Sequence, residues 1–148
     1  MERFALRPVT DADYDFLFAL HVVTIRESVE PIWGWDEAFQ ADYFRDHWKT
    51  ENRTVIVVDG IDAGIFALTL HPDHYFLDLI EIHPDFQGQG IGTALVEEAM
   101  GQAAIVGVPL RLHVLKTNPK ARTLYIRLGF KDTEEREERF VMEWEATQ

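Results

Sequence analysis

A chain of 148 residues with 47% hydrophobic content can bury one core but is too short for two ordinary domains. We therefore expect a single domain over residues 1–148. Its 26 acidic residues outnumber its 14 basic residues, which gives a formal net charge of −12. That balance argues against a general nucleic-acid binder, because phosphate contacts need clustered Lys and Arg. Cysteine is absent, which excludes disulfides, thiolate catalysis and Cys-ligated zinc and suits a reducing cytoplasm.

The acidic balance is compatible with a cationic partner such as an amine, although solubility alone accounts for most acidic proteins. No apolar stretch is long enough to span a membrane, and the first residues, Met1–Phe4, lack the core of a signal peptide. We expect no nucleic-acid partner, no membrane partner, no bound metal and a cytoplasmic location. Self-association as a homodimer stays open.

The first half of the chain predicts one strand, two helices and then three strands. Thr10 can cap the first helix with Asp13 in its first turn, and Asp59-Gly60 is typical of a hairpin turn. The last of the three strands is nearly apolar, so we expect it to be buried on both faces. The predicted bounds are Arg3–Arg7, a helix after Thr10, Asp36–Trp48, Thr54–Val58, Gly64–Leu70 and Phe76–Ile82.

The second half of the chain predicts a helix, a strand, a short helix and a final pair of strands. The long helix ends near Gly107, and its apolar face consists of Ile91, Leu95, Ala99, Ala103 and Val106. The next strand is Pro109–Leu115. A short helix follows, closed by Gly129, with Ala121, Leu124, Tyr125 and Leu128 on one face. The last two strands, Phe130–Thr133 and Phe140–Trp144, flank an acidic turn, Glu134–Glu138.

A glycine run, Gln87–Gly92, stands between the apolar strand and the long helix. Its glycines at alternate positions let successive backbone N–H groups approach an anion at a helix N-terminus, where the helix dipole adds attraction. The run therefore reads as a pyrophosphate cradle. Its spacing differs from a P-loop, because Leu95 and Val96 stand where a P-loop that begins at Gly90 needs Gly and Lys, and it also differs from a dinucleotide fingerprint.

The remaining pattern, Gln-x-x-Gly-x-Gly, resembles the coenzyme A signature of the GNAT family of N-acyltransferases. A second segment, Asn118–Phe130, resembles that family's run of Asn, Ala, Leu-Tyr and Leu-Gly-Phe. The order and separation of the two segments both match. The resemblance is specific over Leu77–Phe130 and rests on element order elsewhere. It implies a mixed α/β (α+β) fold, with a mostly antiparallel sheet of about seven strands, flanked by four helices and splayed between the fourth and fifth strands.

The resemblance implies that acetyl-CoA is the acyl donor, with a longer acyl-CoA as an alternative. The backbone N–H of Ile80 is the candidate oxyanion donor, worth roughly 3 kcal/mol if placed as such donors usually are. Many family members carry Arg or Lys where Gln87 and Gln89 stand, so the phosphates would rely on backbone N–H groups and on nearby basic residues such as Lys116. The residues implied to bind the donor are Leu79, Ile80, Ile82, Gln87, Gly88, Gln89, Gly90, Ile91, Gly92, Thr93, Asn118, Lys120, Arg122 and Tyr125.

Tyr125 stands where the family places a tyrosine near the coenzyme sulfur, so it is the candidate proton donor to the thiolate; its alternative role is a core tyrosine. Asn118 can cap the short helix, bind the donor, or do both. Asp78 and Glu81 interrupt a strand expected to be buried, where a carboxylate is costly unless it is paired or used, so each is a candidate base. The alternatives are exposure or an Arg partner. We expect His113 to be a satisfied core histidine.

The resemblance assigns the acceptor to the first two helices and their connection, here Arg26–Glu37. Two tryptophans with several carboxylates can form a pocket for a cationic amine, and the alternative is ordinary packing under a loop. The candidate acceptor residues are Glu27, Glu30, Trp33 and Trp35. The leading function is N-acetylation of a small primary amine by direct attack. The alternatives are acetylation of a protein N-terminus or lysine, and a non-catalytic acyl-CoA-binding domain, against which Tyr125 with Asn118 weighs.

Overall fold

A computed structural model describes residues 4–146, which form a mixed, mostly antiparallel sheet with flanking helices. The strands are β1 (Phe4–Pro8), β2 (Arg53–Val58), β3 (Ile61–Leu70), β4 (Tyr75–Ile82), β5 (Leu110–Leu115), β6 (Lys131–Glu135) and β7 (Arg139–Trp144), and the α-helices are α1 (Tyr14–Trp33), α2 (Glu37–Asp46), α3 (Ile91–Val106) and α4 (Pro119–Arg127). The sheet order is β1-β2-β3-β4-β5-β7-β6. The predicted fold class and element order are confirmed.

The described residues pack as two compact units. The first comprises residues 4–67 and 79–89, and the second comprises residues 68–78 and 90–146. The assignment of the whole chain to a single domain stays a prediction.

In the first unit, β1, β2 and β3 form an antiparallel ladder with a register shift between Ile56 and Val57. Asp59 and Gly60 both have positive φ, of 50° and 80°, so they make the hairpin turn that the sequence predicted. The core of this unit is apolar and is formed by buried Val9, Leu17, Leu20, Val55 and Ile65, with Phe16, Phe44, Trp48, Val57 and Leu79 packed against it.

The start of α1 is fixed by one buried carboxylate. Asp13 accepts a hydrogen bond from the backbone N–H of Thr10 at 2.9 Å, as expected of a helix cap. The Arg7 guanidinium donates to the same carboxylate at 2.8 Å and to Asp62 at 2.8 Å. The hydrogen bond from Arg7 holds the pKa of Asp13 below its usual value. Asp13 therefore joins the start of the first helix to Arg7 of β1, which in turn pairs with Asp62 of β3.

The segment Arg26–Glu37 was expected to connect the first two helices, and that expectation is wrong for most of it. Helix α1 continues to Trp33 with Pro31 inside it. A proline has helical φ, but it lacks an N–H and its ring crowds the carbonyl four residues earlier, so a helix continues past it only when the neighbouring bonds survive. The N–H of Gly34 still donates to the Glu30 carbonyl at 2.9 Å. The connection is therefore short, and it ends at Asp36, which caps α2 by accepting from the N–H of Phe39.

Strand β4 passes very close to β3 at Gly64. A Cβ at this position would lie 2.3 Å from the carbonyl oxygen of Glu81 and 3.2 Å from the Cα of Ile82. Only glycine fits such an approach. The N–H of His83 then donates to the Ala63 carbonyl at 2.8 Å. These contacts fix the end of β4, from which the glycine run begins.

In the second unit, β4 pairs in parallel with β5 through Tyr75–Leu110 and Phe76–Arg111. This short ladder is consistent with the expected splay between the fourth and fifth strands. Strand β7 pairs antiparallel with β5 over its whole length and with β6 on its other side. Helix α3 has the predicted bounds and buries Ile91, Leu95, Val96, Ala99 and Ala103, whereas Val106 is exposed.

Two burial predictions are wrong. Strand β4 is not buried on both faces, because only Leu77 and Glu81 are buried along it and its other side chains are half-buried. An apolar composition favours burial of a strand. Burial on both faces also requires other elements that cover each face along the whole strand. His113 is exposed rather than in the core, since strand alternation turns Leu112 and Val114 inward and His113 outward. The acidic turn is also shorter than expected, because β6 extends to Glu135.

We predict that Asp13→Asn lowers the free energy of unfolding by about 1–3 kcal/mol at pH 7, because it removes the charge that Arg7 pairs with and weakens the cap. The pKa of Asp13 is lowered by folding. Its stabilising effect is therefore complete above the pKa of Asp13 in the unfolded chain, about 4. The effect is lost as the pH falls through the lower pKa of Asp13 in the folded protein.

Urea unfolding at pH 7 and in acid measures this effect, and the two proteins should converge in stability as the pH falls. The matched control is Asp42→Asn, which removes an exposed pair with Arg45 on α2 and should change stability by less than about 0.5 kcal/mol. A stability difference between wild type and Asp13→Asn that is independent of pH would contradict this role for Asp13.

Candidate active site

The N-terminus of α3 presents backbone donors to the surroundings. Gly90 is its N-cap, with φ of 83°, and no side chain caps the helix. The first intrahelical bond runs from the Ala94 N–H to the Gly90 carbonyl at 3.0 Å. The N–H groups of Ile91, Gly92 and Thr93 therefore have no acceptor within the helix. A Cβ at Gly90 would meet no heavy atom within 4 Å, so a ligand can approach the backbone there. This is the geometry of an anion site.

The preceding loop residues are held by their own side chains. The Gln87 Nε2 donates to the Ile82 carbonyl at 2.8 Å, and the Gln89 Nε2 contacts the Asp85 carbonyl at 3.5 Å. Gly88 has φ of 75°, and a Cβ there would also meet nothing within 4 Å. Both glutamines thus order the loop without adding charge, which agrees with phosphate binding that relies on backbone donors.

His83 and Asn118 both act as local caps. The N–H of Asp85 donates to His83 Nδ1 at 3.1 Å, which closes the short 3-10 turn Pro84–Phe86. Asn118 accepts from the Ala121 N–H at 3.2 Å and caps α4. The capping role of Asn118 is therefore confirmed, and its contact with the donor stays a prediction.

The basic residues expected near the phosphates differ in their surroundings. Arg122 donates to Asp132 at 2.5 Å, and its guanidinium lies 4.1 Å from the centre of the Phe140 ring. The Lys116 Nζ lies 2.7 Å from Glu135. Lys120 is exposed in the first turn of α4. Two of the three cations are thus already engaged with carboxylates, and the contact of each with a phosphate stays a prediction.

Tyr125 is buried on the inner face of α4. Its side chain is 7% exposed, and its ring lies 5.6 Å from that of Phe130. Burial raises the pKa of Tyr125 to about 12. The hydroxyl therefore stays protonated at neutral pH, which a proton donor to a thiolate requires. The same burial fits a core tyrosine, so the catalytic role of Tyr125 stays a prediction.

The two candidate carboxylates of β4 have different partners. Glu81 is buried, and its Oε2 lies 2.9 Å from the Nδ1 of His21 on α1. Asp78 is half-buried and accepts a hydrogen bond from the Thr69 hydroxyl at 2.5 Å. Neither contact is with an Arg, which was one structural alternative for these residues, whereas the other alternative, partial exposure, describes Asp78.

The sequence analysis did not identify His21. One signal was present, because His21 follows Leu17 by four residues and therefore lies on the same face of α1. Leu17 is buried in the core of the first unit. A polar residue on that face needs a partner. The partner, Glu81, is 60 residues away along the chain, which no local pattern reveals.

The predicted acceptor segment already holds a cation that belongs to the chain. The Arg26 guanidinium lies 5.3 Å from the centre of the Trp35 ring, 3.4 Å from Glu30 and 4.0 Å from Glu37. Trp33 is 56% exposed, and Glu27 is exposed on α1. The segment therefore has the aromatic and acidic character that was expected, although Arg26 occupies part of it.

Over residues 4–146, no group of three or more His, Asp or Glu side chains is arranged to hold a metal ion. In the same part of the chain, no helix has the length and apolar character needed to cross a membrane.

Comparison with known protein families assigns this chain to one of them. The model of the acetyltransferase (GNAT) family matches residues 21–130, which is most of the chain. The chain belongs to the GNAT acetyltransferase family. The resemblance carried by the two sequence motifs is therefore confirmed, and this GNAT protein is an acyltransferase.

Individual relatives agree with the family. Spermidine N(1)-acetyltransferase of Escherichia coli strain K12 is 29% identical over 136 residues, which cover 84% of this chain and 71% of the relative. PaiA N-acetyltransferase of Thermoplasma acidophilum, solved in complex with coenzyme A, is 20% identical with a TM-score of 0.74 over 99% of this chain and 100% of that one. The ribosomal-protein-S18-alanine N-acetyltransferase of Escherichia coli is 24% identical, with a TM-score of 0.65 over 98% and 95%. The two structures support the fold.

Proposed function

We propose that this GNAT protein transfers an acetyl group from acetyl-CoA to the primary amine of a small molecule, by direct attack in a ternary complex. The observation that carries the proposal is the uncapped N-terminus of α3 behind Gly90, within a chain of this family. The net charge of −12 favours a cationic acceptor over an anionic one. The named activity of the spermidine acetyltransferase relative supports the same class of acceptor.

The start of α3 fits a pyrophosphate for two reasons besides its free N–H groups. Its first turn carries no acidic side chain that would repel an anion. The helix is 16 residues long, so the positive end of its dipole lies where the anion would bind. Backbone groups of Leu79, Ile80 and Ile82 are assigned to the pantetheine and the acetyl carbonyl by the family resemblance.

The reaction needs one bond made, one bond broken and its protons moved. The amine nitrogen attacks the thioester carbonyl, a C–N bond forms, the C–S bond breaks, and the thiolate takes the proton of the Tyr125 hydroxyl. The N–H of Ile80 stabilises the oxyanion of the tetrahedral intermediate. The acceptor, an ammonium in water, must first lose a proton, for which Glu81 and Asp78 are the candidate carboxylates.

The alternative acceptor is a protein N-terminus or lysine side chain, and the alternative donor is a longer acyl-CoA. The likeness to the ribosomal-protein acetyltransferase supports the fold alone at 24% identity. The exposed, partly filled segment around Trp35 favours a small amine over a long peptide. The cytoplasmic location and the homodimer stay predictions from the sequence.

We predict that Tyr125→Phe lowers kcat by roughly tenfold to a thousandfold, the range for loss of one positioned proton donor, with acetyl-CoA binding little changed. The substitution keeps the buried ring and removes only the hydroxyl. Release of free coenzyme A thiol measures turnover. The test requires that the chemical step limits the rate. Tyr75→Phe, at the start of β4, is the matched control and should keep wild-type kcat. Unchanged turnover in Tyr125→Phe would assign Tyr125 to the core.

We predict that primary amines carrying positive charge are turned over better than neutral or anionic acceptors in a panel assay for released thiol. Trp33→Ala and Glu30→Gln should each raise the acceptor KM by about twofold to fivefold, since an exposed cation contact is worth about 0.5–1 kcal/mol. The KM for acetyl-CoA should not change. Glu98→Gln, an exposed acid on α3, is the control for net charge. If peptides are turned over and small amines are not, the acceptor class proposed here is wrong.

A further inference from the structure

The carboxylate of Glu81 lies among apolar side chains, and packing alone gives no reason for an acid at this position. It is 9% exposed and follows Leu79 by two residues, so both side chains point to the same face of β4. Leu79 packs against the core that contains Leu17 and Leu20 of α1. A carboxylate at such a position costs stability unless a partner satisfies it. An apolar residue would fill the same space without that cost, so a functional role for the acid is worth seeking.

The partner, His21, is arranged as an oriented base. Its Nδ1 lies 2.9 Å from Glu81 Oε2, and an ionised carboxylate only accepts, so Nδ1 carries the proton in the neutral ring. Nε2 then keeps a lone pair that can accept a proton. The ring also lies 5.5 Å from that of Phe44, a contact that limits its rotation. The hydrogen bond to an ionised carboxylate thus favours one tautomer, and the Phe44 ring lies beside the imidazole.

The two members of the pair differ in access to solvent. The His21 side chain is 20% exposed, whereas that of Glu81 is 9% exposed. The imidazole is therefore the member of the pair that water reaches more easily, and the carboxylate lies behind it. This is the division of roles in a carboxylate–histidine pair that serves acyl transfer elsewhere, where the acid orients the imidazole and stabilises its charged form.

We propose that His21 is the base that removes the proton from the acceptor ammonium, directly or through one water, and that Glu81 is the positioning residue that holds it. This inference rests on the proposed function and selects Glu81 over Asp78 in a specific role. Glu81 directly follows Ile80, whose N–H is assigned to the oxyanion. His21 Nε2 takes one ammonium proton, the free amine attacks the thioester carbonyl, and the proton passes to solvent. After attack the nitrogen loses a second proton to water, and the tyrosinate left at Tyr125 takes a proton back from water, so one proton is released per turnover.

The decisive variant is His21→Asn, which keeps an N–H for Glu81 but has no nitrogen that accepts a proton. We expect kcat to fall by roughly 10²- to 10⁴-fold, the range for loss of a general base. The KM for acetyl-CoA should be unchanged, and Tm should stay within about 3 °C. The matched control is His47→Asn at the C-terminal end of α2, where His47 is exposed and stacks on Tyr43, and it should keep wild-type kcat.

Two further variants separate proton transfer from packing. His21→Ala should lose a similar factor in kcat and regain part of it with added imidazole, which can enter the space left by the ring. Glu81→Gln should lower kcat by roughly tenfold at unchanged acetyl-CoA KM, since an amide oxygen can still accept from Nδ1 but carries no charge. If His21→Ala does not fold, the Asn variant alone decides the question.

Wild-type kcat in His21→Asn would overturn the assignment, because a purely structural pair needs only the hydrogen bond that Asn keeps. If wild type and His21→Asn turn over amines equally well, the base role is refuted and the proposed function stays intact. A wild type that turns over no amine in the panel refutes the proposed function and this inference together.

Discussion

An α-helix leaves its first backbone N–H groups without partners, and α3 begins with no side chain to satisfy them. Two features at the N-terminus of α3 are consistent with these unpaired N–H groups. Gly90 takes a left-handed φ of 83° that residues with a Cβ rarely adopt, and the first turn carries no acid. Such a helix end is satisfied by water or by an anion. The anion that we propose for this helix end is the pyrophosphate of the acyl donor.

A second constraint acts on β4, where a carboxylate side chain lies on the face that packs against apolar core side chains of α1. Gly64 lets the backbone of β3 approach Glu81 closely, and His21 supplies the hydrogen bond that the buried carboxylate needs. The same contact that makes Glu81 tolerable also fixes the tautomer of an imidazole. Structural satisfaction and proton transfer are therefore joined in one hydrogen bond, which is why a substitution that keeps the bond is the informative one.

Local signals in the sequence predicted most of the fold. The bounds of α3, the cap made by Thr10 with Asp13 and the cap at Asn118 all depend on residues within one turn of each other, so they can be read directly from the chain. Contacts between distant residues could not be read in this way. The His21–Glu81 pair, the stacking of Arg26 on Trp35 and the continuation of α1 past Pro31 depend on tertiary neighbours. His113 illustrates the same limit, because its exposure follows from which face of β5 is covered.

The central claim, that the start of α3 anchors the acyl donor, is tested most directly by measuring the rise in Tm caused by acetyl-CoA in Gly90→Leu and Gly107→Leu. The two glycines bound the same helix, have φ of 83° and 85°, and have no heavy atom within 4 Å of an added Cβ. Both substitutions therefore impose similar backbone strain, about 1–2 kcal/mol. Saturating acetyl-CoA should raise the Tm of wild type and of Gly107→Leu by mass action, and should leave that of Gly90→Leu unchanged. An equal rise in both variants, or none in wild type at millimolar acetyl-CoA, would contradict the account.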